Sequence, residues 1–164
     1  MKLTLRSVFL SIFIVSSCGF FKGTLDYTEH TNFNSGAIPP NFNGDSLTTI
    51  FHLTGLRGRD KVFKKIVAEE YNGRYVFASG DDIERMMKDS LTYGYVFSNC
   101  YNNLGGQMVV NSHTYEGSDN LRMYKFFVYD LNLKKGYGPD VSSSYFKEYL
   151  TAYIRNLELS RIEK

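Results

Sequence analysis

The chain has 164 residues, 19 of them basic and 17 acidic, with a formal net charge of +2 and 43% apolar side chains, which suits one folded domain. Its cations form no cluster, so no nucleic-acid partner is expected, and no apolar run reaches the ~18 residues that a membrane-crossing helix needs. Thirteen Tyr and thirteen Phe with no Trp make it unusually aromatic, and tyrosine suits half-buried positions where a ring packs and a hydroxyl finds a partner.

The first element reads as a secretory leader. Lys2 and Arg6 precede the apolar run Val8 to Val15, and Val15-Ser16-Ser17-Cys18-Gly19 follows. A run this short fits the core of a signal peptide rather than a span. The order of charge, apolar run, small pair and cysteine resembles the lipobox of bacterial lipoproteins, with Val15 standing where that family favours leucine. The resemblance covers residues 1–20 only. It implies cleavage between Ser17 and Cys18, a diacylglyceryl thioether on the Cys18 sulfur and acylation of the new amino group, hence a membrane attachment through lipid on Cys18. Two or three acyl chains make such attachment stable, whereas one is marginal. Gly19, where an aspartate would retain the protein on the inner membrane, and the lack of acidic residues from Gly19 to Leu25 imply the periplasmic face of the outer membrane.

Loss of residues 1–17 removes Lys2 and Arg6 and no acid, leaving 17 basic and 17 acidic residues. Only Cys100 then remains as a thiol, so no internal disulfide can form, and burial is the expectation for a lone cysteine. Residues 18–46, rich in Gly, Asn, Ser and Thr and containing Pro39-Pro40, read as the lipidated N-terminus and a flexible tether. Residues 47–164 read as the globular domain.

Within it, Leu47 to Thr54 is apolar and β-branched and stops at Gly55, the pattern of a strand. Asp60 is placed to cap a helix with Val62, Phe63, Ile66, Val67 and Tyr71 on one face and Gly73 as its C′ residue. A second strand follows over Arg74 to Ser79. Asp81 with Glu84 matches a capping box for a short helix burying Ile83, Met86, Met87 and Leu91. Tyr93 to Asn99, Gln107 to Tyr115 and Leu121 to Leu131 read as a three-stranded meander. Ser142 to Ser144 start a long helix whose Tyr145, Phe146, Tyr149, Leu150, Tyr153, Ile154 and Leu157 form an apolar stripe, with Lys147, Glu148, Arg155 and Glu158 off it. The expected fold is therefore a single α/β (mixed α+β) domain, with a mixed sheet of about five strands, two crossover helices and a long C-terminal helix packed on it. Thioredoxin-like domains share much of this order, but Gly55-Leu-Arg-Gly-Arg-Asp60 holds no Cys-x-x-Cys, so the likeness brings no redox chemistry.

The turn from Gly55 to Asp60 puts Arg57 and Arg59 at a helix start, where an anion can be held, although Asp60 places a negative charge in the same turn. Lys134-Lys-Gly-Tyr-Gly-Pro-Asp140 reads as a surface loop with Tyr137 exposed for a glycan, peptide or headgroup. Cys100, His52 and His113 lie on or beside strands, without the close spacing that marks a zinc site and without the local signature of a thiol hydrolase. The acid pairs Glu69-Glu70 and Asp81-Asp82 sit at helix ends, where structure accounts for them. No catalytic residue, metal or cofactor is assigned. The expected function is a membrane-anchored, non-enzymatic interaction or accessory module of the cell envelope with an envelope protein as partner. A peptidoglycan-, glycan- or small-ligand-binding protein is the alternative, and a thiol-dependent enzyme using Cys100 a third.

Overall fold

The computed structural model describes residues 27–163 apart from 104–106, 111–112 and 117–121. Ser17, Cys18 and the rest of the leader lie outside the described residues. The elements are α1 (Tyr27–His30), β1 (Thr48–His52), α2 (Arg57–Glu70), β2 (Tyr75–Ala78), α3 (Asp81–Met87), β3 (Tyr93–Asn103), β4 (Gln107–Val110), β5 (His113–Glu116), β6 (Arg122–Asp130), β7 (Lys135–Tyr137) and α4 (Phe146–Ile162). Five strands form one mixed sheet in the order β2-β1-β3-β6-β7, as the sequence pattern implies for a single α+β domain.

β1 lies inside the sheet with both faces covered: Thr49, Ile50 and Phe51 are all at 0% exposure. It pairs in parallel with β2 and β3, placing Phe51 beside Phe77 and Phe97. β3 then pairs antiparallel with β6, from Tyr95 opposite Asp130 to Asn103 opposite Arg122. The expected meander is thus corrected, since β4 and β5 form a separate hairpin and β3 meets β6 directly. A direct β3–β6 pair buries Phe97 against Phe126 on one face, ring centroids 5.8 Å apart, which an intervening strand would prevent.

The crossover from β1 to β2 and that from β2 to β3 run in opposite directions across the sheet, so their helices cover opposite faces. On one face Phe51, Tyr95, Phe97, Phe126 and Val128 pack against Phe63, Ile66 and Val67 of α2 and Tyr149, Leu150, Tyr153, Ile154 and Leu157 of α4. On the other, Ile50, Ala78, Val96 and Leu131 pack against Ile83 of the short α3, with its Met86 partly buried beside them. Two ion-pair groups pin α4 to α2 and the loop before β1. Arg155 grips Glu70 at 2.7 and 2.8 Å, and Arg161 bridges Glu158 and Asp45 at 2.5 Å each. Glu158 also accepts from the Asn72 backbone and amide, at 3.1 Å each. The sequence pattern places Arg155 and Glu158 away from the stripe, and Glu70 at the end of α2 and Asn72 just after it are what recruit them.

Residues 27–46, expected as part of a tether, instead strap the thicker face. Ala37, Ile38 and Phe42 are at most 1% exposed and join the main cluster. An irregular segment can be buried only if its backbone groups find partners, and tyrosines supply them. The Tyr153 hydroxyl donates to the Ala37 carbonyl. That of Tyr95 donates to the Asn41 carbonyl and accepts from the Asn43 N–H, both at 2.9 Å. Asn156, 4% exposed, donates to the Thr28 carbonyl and the Thr31 hydroxyl at 2.8 Å each.

Several local expectations are corrected by the same packing. Asp60 is not the cap of α2, which begins at Arg57; its carboxylate accepts from the Thr54 N–H and hydroxyl at 3.0 Å each, folding back the loop that Gly55 turns at φ +81°. Gly73 is no left-handed C′ residue; it is small because a Cβ there would lie 2.4 Å from the Tyr71 hydroxyl and 2.8 Å from the Gly44 carbonyl. Asp81 makes no side-chain cap, and Gly80 at φ +53° starts α3. Met87 and Leu91 are 37% and 90% exposed, since α3 ends at Met87. Tyr145, 58% exposed, precedes α4 rather than joining its stripe. The loop from Lys134 is in part the edge strand β7, which adds to β6 with Tyr137 opposite Val128.

Candidate functional site

In a sheet of this kind the natural crevice lies at the carboxyl ends of neighbouring parallel strands whose following connections leave in opposite directions. Here those strands are β1 and β3. β1 ends at His52, whereas β3 runs on to Asn103 with β6 beside it, forming a ledge past the end of β1 and beside the start of α2.

On the α2 side of the ledge Arg59 is laid over three rings. Its guanidinium carbon is 5.0 Å from the Tyr124 centroid, 5.2 Å from Tyr101 and 5.8 Å from Phe146. Arg122 lies over the same Tyr101 ring at 5.2 Å. Cations held this way are attracted by the ring quadrupole. Neither arginine is in an ion pair among the described residues, while Arg85, Arg155 and Arg161 all are. Among the described residues, the buried Nη1 of Arg59 has no hydrogen-bond partner, and neither has the buried Oδ1 of Asn99. Strand alternation puts Asn99 on the same face as Tyr101, and it stands opposite Phe126 as Tyr101 stands opposite Tyr124. One donor and one acceptor, each costing about 1–3 kcal/mol if left unmet, thus sit on one face of the ledge.

The other face carries different chemistry. His52 Nδ1 and Ser98 Oγ share a hydrogen bond of 2.8 Å. Burial pushes the His52 imidazole below its ordinary pKa, an effect the Asp60 carboxylate partly opposes. Cys100 is exposed, correcting the expectation of burial. β3 outruns the part of this face that α3 covers, so Cys100 and its cross-strand neighbour Lys125 both meet solvent. The His52 nitrogen that is engaged goes to Ser98, and the side chain of His113 lies outside the described residues.

Of the residues singled out from sequence, Arg59 belongs to the ledge. Arg57, two residues earlier on another side of the helix, is exposed near the engaged Asp60. Tyr137 does not belong there; at 9% exposure it is buried on the edge strand, with Lys135 Nζ 5.0 Å from its ring, so its role as an exposed ligand contact is corrected. Glu69 pairs with Lys65 at 3.7 Å and Asp82 with Arg85 at 2.9 Å. The Glu70 carboxyl is held below its usual range by the hydrogen bond from Arg155. Among the described residues no three His, Cys, Asp or Glu side chains come together as metal ligands, and no helix is long and apolar enough to cross a membrane. Tyr101, Asn99, Arg122, Tyr124 and Phe146 were not singled out from sequence. The i, i+2 spacing of Asn99 and Tyr101 on a strand was the available signal, and it does not reveal what stands opposite. Comparison with protein-family models, curated proteins and solved structures finds no match for this chain.

Proposed function

We propose that this chain is a lipid-anchored, non-enzymatic binding module of the cell envelope, held through Cys18 at the periplasmic face of the outer membrane, and that it takes an acidic, hydroxyl-bearing ligand at the carboxyl end of its sheet. The ligand class is that of the acidic sugars of peptidoglycan and other envelope glycans. The observation that carries this reading is the buried Arg59 Nη1 donor and Asn99 Oδ1 acceptor on one face, each without a partner among the described residues. A carboxylate would meet the first and a hydroxyl the second, and Tyr101, 41% exposed, offers a ring edge to the sugar. Binding rather than turnover fits a guanidinium, which holds an anion but exchanges no proton near neutral pH. The anchor rests on the charge, apolar run, small pair and cysteine from Lys2 to Cys18.

Calorimetric titration of the full chain in detergent tests the reading, with an N-acetylmuramic-acid disaccharide compared against neutral chitobiose. The acidic sugar is expected to bind more tightly, and Arg59→Ala to weaken it about 10- to 100-fold, the worth of one charge-assisted hydrogen bond. Equal affinity for the neutral sugar, or unchanged affinity in a folded Arg59→Ala variant, refutes the site. Mass spectrometry of the native protein tests the anchor separately, since an unmodified thiol at Cys18 removes it.

A further inference from the structure

The described chain begins on the thick side of the domain. The Tyr27 hydroxyl bonds Ser143 at 2.6 Å, its ring lies 5.1 Å from that of Tyr149, and the segment then runs along α4 through Thr31 at Asn156 to Phe33. Eight residues lie between Cys18 and Tyr27, so the linking chain, at about 3.3–3.6 Å per step, reaches at most roughly 32 Å. A lipid on Cys18 therefore keeps Tyr27, on the α1–α4 side, within that distance of the bilayer.

That surface carries an apolar patch. Phe33 and Leu159 line a cleft of about 410 Å³ together with Pro39, Pro40 and Phe42. Phe33 is 48% exposed, Leu159 44% and Ile162 57%, and Leu159 and Ile162, three apart, share one helix face. The cations around it are offset by carboxylates: Arg155 is bound to Glu70, Arg161 to both Glu158 and Asp45, and Lys147 neighbours Glu148. Glu163 adds a negative charge at the cleft, so anionic lipid is not what the patch selects.

We infer that Phe33, Leu159 and Ile162 form a membrane-contact patch that rests in the headgroup region of the bilayer to which the chain is anchored. The inference rests on the lipid anchor proposed above; the length and point of entry of the linking chain select a lipid surface over a protein as the occupant. The chain contains no tryptophan, so a single introduced indole reports its own surroundings. The lipidated full chain carrying Leu159→Trp, Phe33→Trp or, on the α3 side, Leu91→Trp is reconstituted into phosphatidylcholine vesicles with brominated acyl chains. Quenching of about twofold or more is expected for Trp at positions 159 and 33, because interfacial apolar faces sink about 5–10 Å, and none for Trp at position 91. It should persist at high salt. Equal quenching at all three positions, or none at 159 and 33 in vesicle-bound protein, overturns the inference. Shielding of 159 from aqueous iodide without lipid quenching points to a protein occupant and also overturns it. The intact mass of each sample separates this failure from that of the anchor, because a chain without lipid on Cys18 defeats both.

Discussion

Phe42→Ala tests whether residues 27–46 are part of the folded unit. Phe42 is 1% exposed, its ring lies 4.6 Å from that of Tyr95 and 6.4 Å from that of Tyr71, and it belongs to the main cluster. Truncating a fully buried phenylalanine removes its transfer free energy and leaves a cavity, together about 3–5 kcal/mol. Against a total of about 5–15 kcal/mol for a domain, that is a large share. Urea unfolding followed by far-ultraviolet circular dichroism reads the loss directly. With a slope near ~2 kcal/mol/M for a chain of this size, the midpoint should fall by about 1.5–2.5 M. Phe33→Ala, in the same segment but 48% exposed, should change stability by no more than about 0.5 kcal/mol. A Phe42→Ala midpoint within about 0.3 M of the parent, roughly the error of such extrapolations, would refute the strap and restore the segment to a tether.

Further outcomes follow from the polar groups that hold this architecture. Tyr153→Phe should cost about 1–3 kcal/mol in the same urea assay, because it keeps the ring and leaves the buried Ala37 carbonyl without its donor. Glu158, whose carboxyl the Arg161 hydrogen bond holds down to about 2, supplies stability that is present above its ordinary 4.5 and lost as pH falls through about 2; Glu158→Gln should flatten that acid limb of melting temperature against pH. His52 is pushed below its ordinary 6.5 by burial, so the fold disfavours its protonation and its contribution weakens as pH falls below that value. Its ring-proton titration by NMR should show a midpoint under 6.5, and Asp60→Asn, which removes the opposing carboxylate charge, should lower it further. Gly73→Ala should destabilise by about 1–3 kcal/mol in thermal melts, since its methyl would meet the Tyr71 hydroxyl and the Gly44 backbone.

Periodicity made the regular elements legible. The 3.6-residue stripes of α2 and α4 and the β-branched run of β1 are local patterns, and each element forms there, with Val62 and Tyr145 of the expected stripes exposed. Pairing was less legible, because turn-rich residues between β3 and β6 read equally well as a meander or as an excursion ending in its own hairpin. The strap was hidden for another reason. Ala37, Ile38 and Phe42 follow no period, and the groups that make their burial possible, Tyr95, Tyr153 and Asn156, lie 52 to 128 residues away along the chain. Arg59 was visible as a cation near a helix start, but its ring platform is assembled from β3, β6 and α4. Tyr137 misled because flanking lysines and glycines resemble a mobile loop, whereas backbone pairing to β6 turns its ring inward.

The unequal covering of the two sheet faces divides the molecule into a robust body and a detachable veneer. α3 has seven residues and contributes one buried side chain, Ile83, to a cluster of five, while on the opposite face two long helices, the strap and the sheet together form a cluster of eighteen. Local opening follows such contrasts in buried apolar area. Amide protons of α3 and β2 should therefore exchange with solvent through a partial opening that leaves the aromatic body intact, and proteolytic nicking should begin at the turn between α3 and β3. Under thermal or osmotic stress the protein would shed its thin side first, with its arginine ledge and the α1–α4 surface still standing.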